Sequence, residues 1–250
     1  MISARYAFAL ATLFMLGNSP VKPSWVETIR DMKRSVVPIV CGYTDSKGQW
    51  IIADIEGTGF FVDRRAGRFV TASHVLDSLD TFKKQVSEHT CESAIYIPNE
   101  GWERVGKVID FEYFTFNKCI RAAGIDVAVC TLIENPFTSS RLARNLIQEV
   151  SFDVGTVPDG TGAAFTGFPL QRTTPITSIG SVAGRVITED DSHWFSYLLD
   201  KTAWPGASGS PVFTEDGKVI GMITRTGTDD SAGLSFAKSS TAIQSLLARK

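Results

Sequence analysis

The sequence predicts an all-β fold, a barrel or sandwich, ending in a helix. Two observations predict it. Short runs of apolar, β-branched and aromatic residues recur along most of the 250 residues, with Gly, Asp, Asn and Pro between them. Helical spacing is confined to the ends. A polar lead-in reads as helical from Ser24, and Ile243, Leu246 and Leu247 share one face near the C-terminus.

The elements follow in order. Residues 36–43 form the first strand, where Pro38 suits an edge or first-strand position because it has no N–H to give a ladder. Residues 49–55 and 57–62 flank a turn near Glu56. Residues 68–72 lead into a small-residue turn at His74. Residues 94–97, 103–109 and 127–133 complete a first group. The aromatic run 111–116 reads as barrel packing or a surface loop, with a partner site as the alternative. Residues 135–150 break the pattern: Asn135-Pro136 opens a turn and no alternation follows. The second group begins near Phe152 and takes in 162–169, 178–187, 194–199, 211–213 and 218–224. Glu215-Asp216-Gly217-Lys218 joins the last two as a hairpin turn. Thr241 and Gln244 have the spacing of a capping box for the final helix.

Composition excludes several classes. Net charge is −2 and the basic residues are scattered, so no nucleic-acid surface is expected. No internal stretch is long and apolar enough to span a bilayer, so no stable membrane anchor is expected. Residues 1–19 have the shape of a secretory signal: Arg5, an apolar run from Tyr6 to Leu16, then Gly17-Asn18-Ser19. They lack a clear A-x-A, and a packed N-terminal helix is the alternative. Export implies a secreted or periplasmic protein. The four cysteines then allow up to two disulfides in three pairings. Cys41 and Cys130, in apolar runs, read as buried thiols, and Cys91 with Cys119 as the bridge. His89 and His193 lie in polar stretches and read as solvated. No spacing suits a metal, and no cofactor is expected. The oligomeric state stays open.

The chemistry centres on residues 204–212, Trp-Pro-Gly-Ala-Ser-Gly-Ser-Pro-Val. Read alone, this is equally a Gly/Ser turn between strands. A serine nucleophile needs a base to take its proton and donors aimed at the oxygen that becomes negative. Gly206 can turn its own N–H and that of Ser208 into one small pocket, and Gly209 lets the chain pass close behind Ser208. His74, in Thr71-Ala72-Ser73-His74-Val75, can serve as the base. Asp126, at the mouth of the apolar run Val127-Ala128-Val129, can orient it. Each alone has a structural reading. The order His, Asp, Ser with these flanks points to one site.

With Gly57-Thr58-Gly59-Phe60-Phe61-Val62 and Gly221-Met222-Ile223-Thr224, these motifs span most of the chain. The chain resembles the chymotrypsin-like (trypsin-fold) serine proteases. Short loops and the Pro205-Gly206 pair bring it nearer the bacterial Deg/HtrA type than digestive trypsins. The resemblance implies two six-stranded antiparallel Greek-key β-barrels, the active site in the cleft between them, and a C-terminal helix on the second barrel. It implies the division 1–19 signal, 20–35 lead-in, 36–134 first barrel, 135–150 crossing, 151–237 second barrel and 238–250 helix. It also implies a serine endopeptidase acting on polypeptides through an acyl-enzyme. Ser208 would attack, His74 would move the proton, Asp126 would orient His74, and the N–H groups of Gly206 and Ser208 would bind the oxyanion. An extended substrate would pair with Thr224, Arg225 and Thr226, and the Thr224 hydroxyl would contact Asp126. The alternatives are a non-catalytic trypsin-fold binding module, or an enzyme whose 205–208 loop a partner must rearrange.

Departures from the digestive pattern carry information. Ala207 replaces the acid that pairs with a newly cut N-terminus, so activation of that kind is not expected. Val75 stands where trypsins have a cysteine. Thr202 replaces the acid at the base of the specificity pocket, and a neutral residue cannot neutralise a substrate Arg or Lys. Thr226 replaces a glycine and narrows the pocket, so a small or medium apolar P1 residue is expected. Ile223 stands where glutamate-specific relatives have a histidine. Asp229 and Asp230 lie in a loop nearby.

Overall fold

The computed structural model describes residues 23–85, 91–102, 110–187 and 194–248. The expected signal at 1–19, the strand at 103–109, His89 and His193 lie outside the described residues.

Helix α1 (Trp25–Lys33) opens the fold. Its Ser24 hydroxyl accepts the Glu27 N–H while the Glu27 carboxylate accepts the Ser24 N–H, a reciprocal cap for two orphan donors. A closed barrel follows. Its strands are β1 (Val36–Thr44), β2 (Trp50–Asp63), β3 (Arg68–Thr71), β4 (Glu92–Pro98), β5 (Phe111–Arg121) and β6 (Ala128–Leu132), in the order β1-β2-β3-β6-β5-β4. Ile39, Phe60, Phe69, Ile95 and Phe114 are buried in its core. Each side chain of this size contributes about 2 kcal/mol by leaving water.

Three expectations for this half are corrected. The turn near Glu56 is absent. Ile39 pairs with Gly57 and Val40 with Ile55, so Glu56 is the extra residue of a bulge in an unbroken β2. A bulge bends a strand without ending it, and in one dimension its charge looks like a turn. The small-residue turn at His74 is the start of α2 (Ser73–Gln85), held down by buried Val75, Leu76 and Leu79. The bridge Cys91–Cys119 is not formed; the disulfides are Cys41–Cys91 and Cys119–Cys130. Register decides this. Cys41 pairs with Ser93, two residues from Cys91, and Cys119 lies directly opposite Cys130. The aromatic run 111–116 is β5: Phe114 and Phe116 are buried, whereas Tyr113 stacks on Trp50 at 4.5 Å.

Residues 133–150 carry neither helix nor strand. The second sheet then comprises β7 (Ser151–Phe152), β8 (Gly162–Gly167), β9 (Ile176–Ile187), β10 (Phe195–Leu199), β11 (Pro211–Phe213), β12 (Lys218–Thr226) and β13 (Ser235–Ser239). Their order is β11-β8-β9-β10-β13-β12-β7, and an added β11–β12 pairing bends the sheet back on itself. It is thus a near-barrel of seven strands rather than six, and β7 runs parallel to β12. Strand β13 covers residues 235–237, read as neither strand nor helix, and residues 238–239, assigned to the C-terminal helix; α3 (Ser240–Leu247) follows it directly. The Thr241–Gln244 box is not formed. Ser239 takes the N-cap position, with no side-chain cap bond, and its hydroxyl meets that of Thr241 at 2.9 Å.

Two core clusters result. Tyr197, Val212, Ile220 and Ile223 belong to the second. Phe168, Phe213, Met222, Ile243 and Leu246 come from the same half of the chain but pack with the first. Helix α3 therefore reaches into the first core as well as lying on β12 and β13. The seam between the sheets is packed apolar surface, which holds the facing loops in register.

Candidate active site

His74 lies in the first turn of α2 and Asp126 two residues before β6. Asp126 Oδ2 is 2.6 Å from His74 Nδ1, and Oδ1 accepts the His74 backbone N–H at 3.0 Å. Helix α2 has no acidic residue in its own first turn. Asp126 supplies one from across the fold, satisfying an orphan N–H at a terminus that favours negative charge. Burial alone would raise the Asp126 pKa; the hydrogen bonds and charge of His74 outweigh it and hold the carboxyl below its ordinary value. An ionised carboxylate only accepts, so Nδ1 carries the imidazole proton and Nε2 is left as the basic nitrogen. The hydrogen bond to Asp126 raises the His74 pKa, against the opposing effect of burial.

Ser208 sits in the loop between β10 and β11. Gly206 and Gly209 have φ of +88° and +87°, a region glycine enters freely. A Cβ on Gly209 would lie 1.9 Å from the Thr58 carbonyl oxygen, so the loop backs directly onto β2. Ala207 N–H donates to Trp204 C=O at 2.9 Å, Ser210 N–H to Ala207 C=O at 3.0 Å, and Leu170 N–H to Pro205 C=O at 2.7 Å. In a trans peptide the N–H points opposite its C=O. Tying the carbonyls of Pro205 and Ala207 therefore orients the N–H groups of Gly206 and Ser208. Neither of those N–H groups has a protein acceptor among the described residues.

Gly57 links the two halves. A Cβ there would lie 2.7 Å from Val75 Cγ2 and 3.2 Å from the Ser208 carbonyl oxygen, so the residue after His74 and the serine backbone border the same space. No hydrogen bond joins Ser208 Oγ to His74 among the described residues.

Sequence reasoning missed Thr58. It is fully buried on β2. Its N–H donates to Ser208 C=O at 2.9 Å, its hydroxyl donates to Gly206 C=O at 2.9 Å, and the same hydroxyl oxygen, Thr58 Oγ1, accepts the Phe168 N–H at 2.9 Å. The available signal was a hydroxyl between two glycines inside an apolar strand.

The expected substrate-side residues divide. Thr224 is a bulge residue: Ile223 pairs with Ala237 and Arg225 with Phe236. Its hydroxyl goes to the Phe236 carbonyl at 3.4 Å, not to Asp126. The β11 ladder ends at Met222, and no strand pairs with the far edge of residues 224–226 among the described residues. The Thr226 hydroxyl donates to Ala203 C=O at 2.6 Å, tying β12 to the segment that leads into the serine loop. Thr202, beside that clip, is partly exposed.

Known structures share this fold. The chain is similar to the Rv3671c protease from M. tuberculosis in its active form, with 15% identity, TM-score 0.60, and 99% of this chain and 94% of that one covered. It is similar to Deg5, with 19% identity, TM-score 0.62, and 88% and 90% covered. It is also similar to the HtrA-type protease AlgW with a decapeptide, with 13% identity, TM-score 0.62, and 90% and 68% covered. At such identities these likenesses concern the fold. No curated protein matches the sequence significantly. The family described as "Trypsin-like peptidase domain" matches residues 57–222, from the glycine beside the serine backbone to the strand behind the serine loop. The chain belongs to the family of trypsin-like peptidase domains.

Proposed function

We propose that the chain is a serine endopeptidase with Ser208, His74 and Asp126 as its triad. Ser208 Oγ attacks the scissile carbonyl carbon while His74 Nε2 takes its proton. The N–H groups of Gly206 and Ser208 bind the oxygen that becomes negative. His74 then protonates the leaving amine, and water, deprotonated by His74, releases the acyl group from Ser208. The carrying observation is the Asp126 grip on His74, which leaves the basic nitrogen at Nε2.

The substrate is an extended polypeptide lying along the open edge of residues 224–226. The Thr226–Ala203 clip supports a narrow pocket, and neutral Thr202 supports a small or medium apolar P1 residue. Export through residues 1–19 places the enzyme in a secreted or periplasmic setting. The two disulfides support an oxidising compartment.

The missing Ser208–His74 hydrogen bond favours a second reading, in which substrate or a partner completes the 205–208 loop. Catalytic hydrogen bonds often tighten only in the complex.

Fluorophosphonate labelling of the wild type and Ser208→Ala tests the assignment. Labelling of the wild type alone is expected. Full labelling of the variant refutes Ser208 as nucleophile. Labelling of neither favours the partner-completed or non-catalytic reading.

A further inference from the structure

We propose that Thr58 is a positioning residue for the oxyanion donor Gly206, acting through a single hydroxyl that bonds both the Gly206 carbonyl and the Phe168 N–H. This rests on the reading of Ser208 as the nucleophile.

Gly206 has no side chain, and both flanking peptides can rotate at low cost. An outside constraint must therefore aim its N–H. The Gly206–Ala207 peptide is held directly, because the Thr58 hydroxyl donates to the Gly206 carbonyl at 2.9 Å. The Pro205–Gly206 peptide is held indirectly. Its carbonyl accepts the Leu170 N–H at 2.7 Å, and Leu170 belongs to a turn whose leading residue, Phe168, donates its N–H to the same Thr58 oxygen at 2.9 Å. Leu170 and Gln171 have φ of +55° and +54°, a region unfavourable for residues with a Cβ. Such a turn persists only where its surroundings fix it.

Thr58 is well placed to be that fixed point. Its N–H donates to Ser208 C=O at 2.9 Å, and its C=O accepts the Thr71 hydroxyl at 2.7 Å. Its hydroxyl lies close against Gly167, where an added Cβ would come within 2.5 Å of Thr58 Oγ1. One hydroxyl from the first barrel thus spans the serine loop and the 168–171 turn of the second half. Losing it strands a part-buried acceptor and a buried donor together. The Gly206 N–H would then no longer be preorganised for developing charge.

The test compares Thr58→Val, Thr58→Ala and Thr58→Ser with the wild type in the full chain. Val and Ala remove the hydroxyl; Ser keeps it. Fluorophosphonate labelling of Ser208 is expected to slow roughly 10- to 100-fold in Val and Ala, somewhat less than the loss of a whole oxyanion donor. Ser is expected to stay within about threefold of wild type. With a peptide substrate the loss should fall on kcat with KM nearly unchanged, because the interaction matters in the transition state. The His74 titration, followed by NMR, should not move. Wild-type labelling rates in Val and Ala overturn the inference, as does a Ser variant as slow as Ala, or a loss confined to KM. If Val fails to fold, the Ala–Ser pair decides. Full labelling of Ser208→Ala in parallel marks failure of the nucleophile assignment instead.

Discussion

Asp126 holds His74 at two points: one carboxylate oxygen meets the ring at Nδ1 and the other receives the backbone N–H of the same residue. Ring and helix start are thereby fixed by one side chain. Because Asp126 caps a helix that lacks its own acidic first turn, orientation of the imidazole and formation of α2 are coupled.

Asp126→Asn is expected to keep the fold and lose activity. The amide can donate to Nδ1, which moves the imidazole proton to Nε2 and leaves no base facing the serine. A fall in kcat of about 10⁴-fold is expected. NMR of His74 should show the other tautomer and a lower pKa. An unchanged rate would count against the assigned role.

The two pKa shifts predict opposite pH trends for activity and stability. His74 is raised above 6.5 by its bond to Asp126, so labelling should decline, as pH falls, at a higher pH than for a free imidazole. Its stabilising contribution is full below the unfolded pKa and is lost as pH rises through the folded one. Asp126 is lowered below 3.8 by His74 despite burial, so its contribution is present above the unfolded value and is lost as pH falls through the folded one. Labelling rate and melting temperature, measured against pH, check both signs. A labelling midpoint below that of free imidazole would contradict the His74 sign, and stability that does not fall as the solution is acidified through the carboxylate range would contradict the Asp126 sign.

Gly209→Ala should be severely destabilising. The new Cβ would sit 1.9 Å from a backbone oxygen, at φ +87°. Backbone on both sides leaves little room to relax, and a cost of about 3 kcal/mol or more is expected. Denaturant unfolding measures it; a cost under about 1 kcal/mol would show that the loop can move away from β2.

The two disulfides should differ in weight. Cys41–Cys91 closes a separation of 50 residues and Cys119–Cys130 one of 11. Chain-entropy reasoning gives about 4 and about 3 kcal/mol. Paired Cys→Ala variants, compared by unfolding, should rank in that order.

Thr226→Gly should open the pocket. It removes the hydroxyl that ties β12 to Ala203 at 2.6 Å, and a side chain with it. A peptide library should shift toward larger apolar P1 residues. An unchanged profile would mean that Thr226 does not limit the pocket.

The sequence by itself determined which residues are candidates for the chemistry and most of the strand runs, with β5 and β13 as the exceptions. Local composition expresses both: the serine between glycines, the β-branched runs and the Glu215–Lys218 turn are legible within a few residues. What lay beyond it depends on pairing across long separations. Glu56 read as a turn because a bulge shows only against its partner strand. Helix α2 escaped notice because its capping carboxylate is Asp126, 52 residues from His74. The cysteines paired by register, which local polarity does not encode. Thr58 gained its importance from Gly206, 148 residues away. Only the tertiary structure decided these, because pairings between distant residues exist once the chain has folded, within the first barrel for Glu56, Asp126 and the cysteines and across the two halves for Thr58, and no local pattern records them.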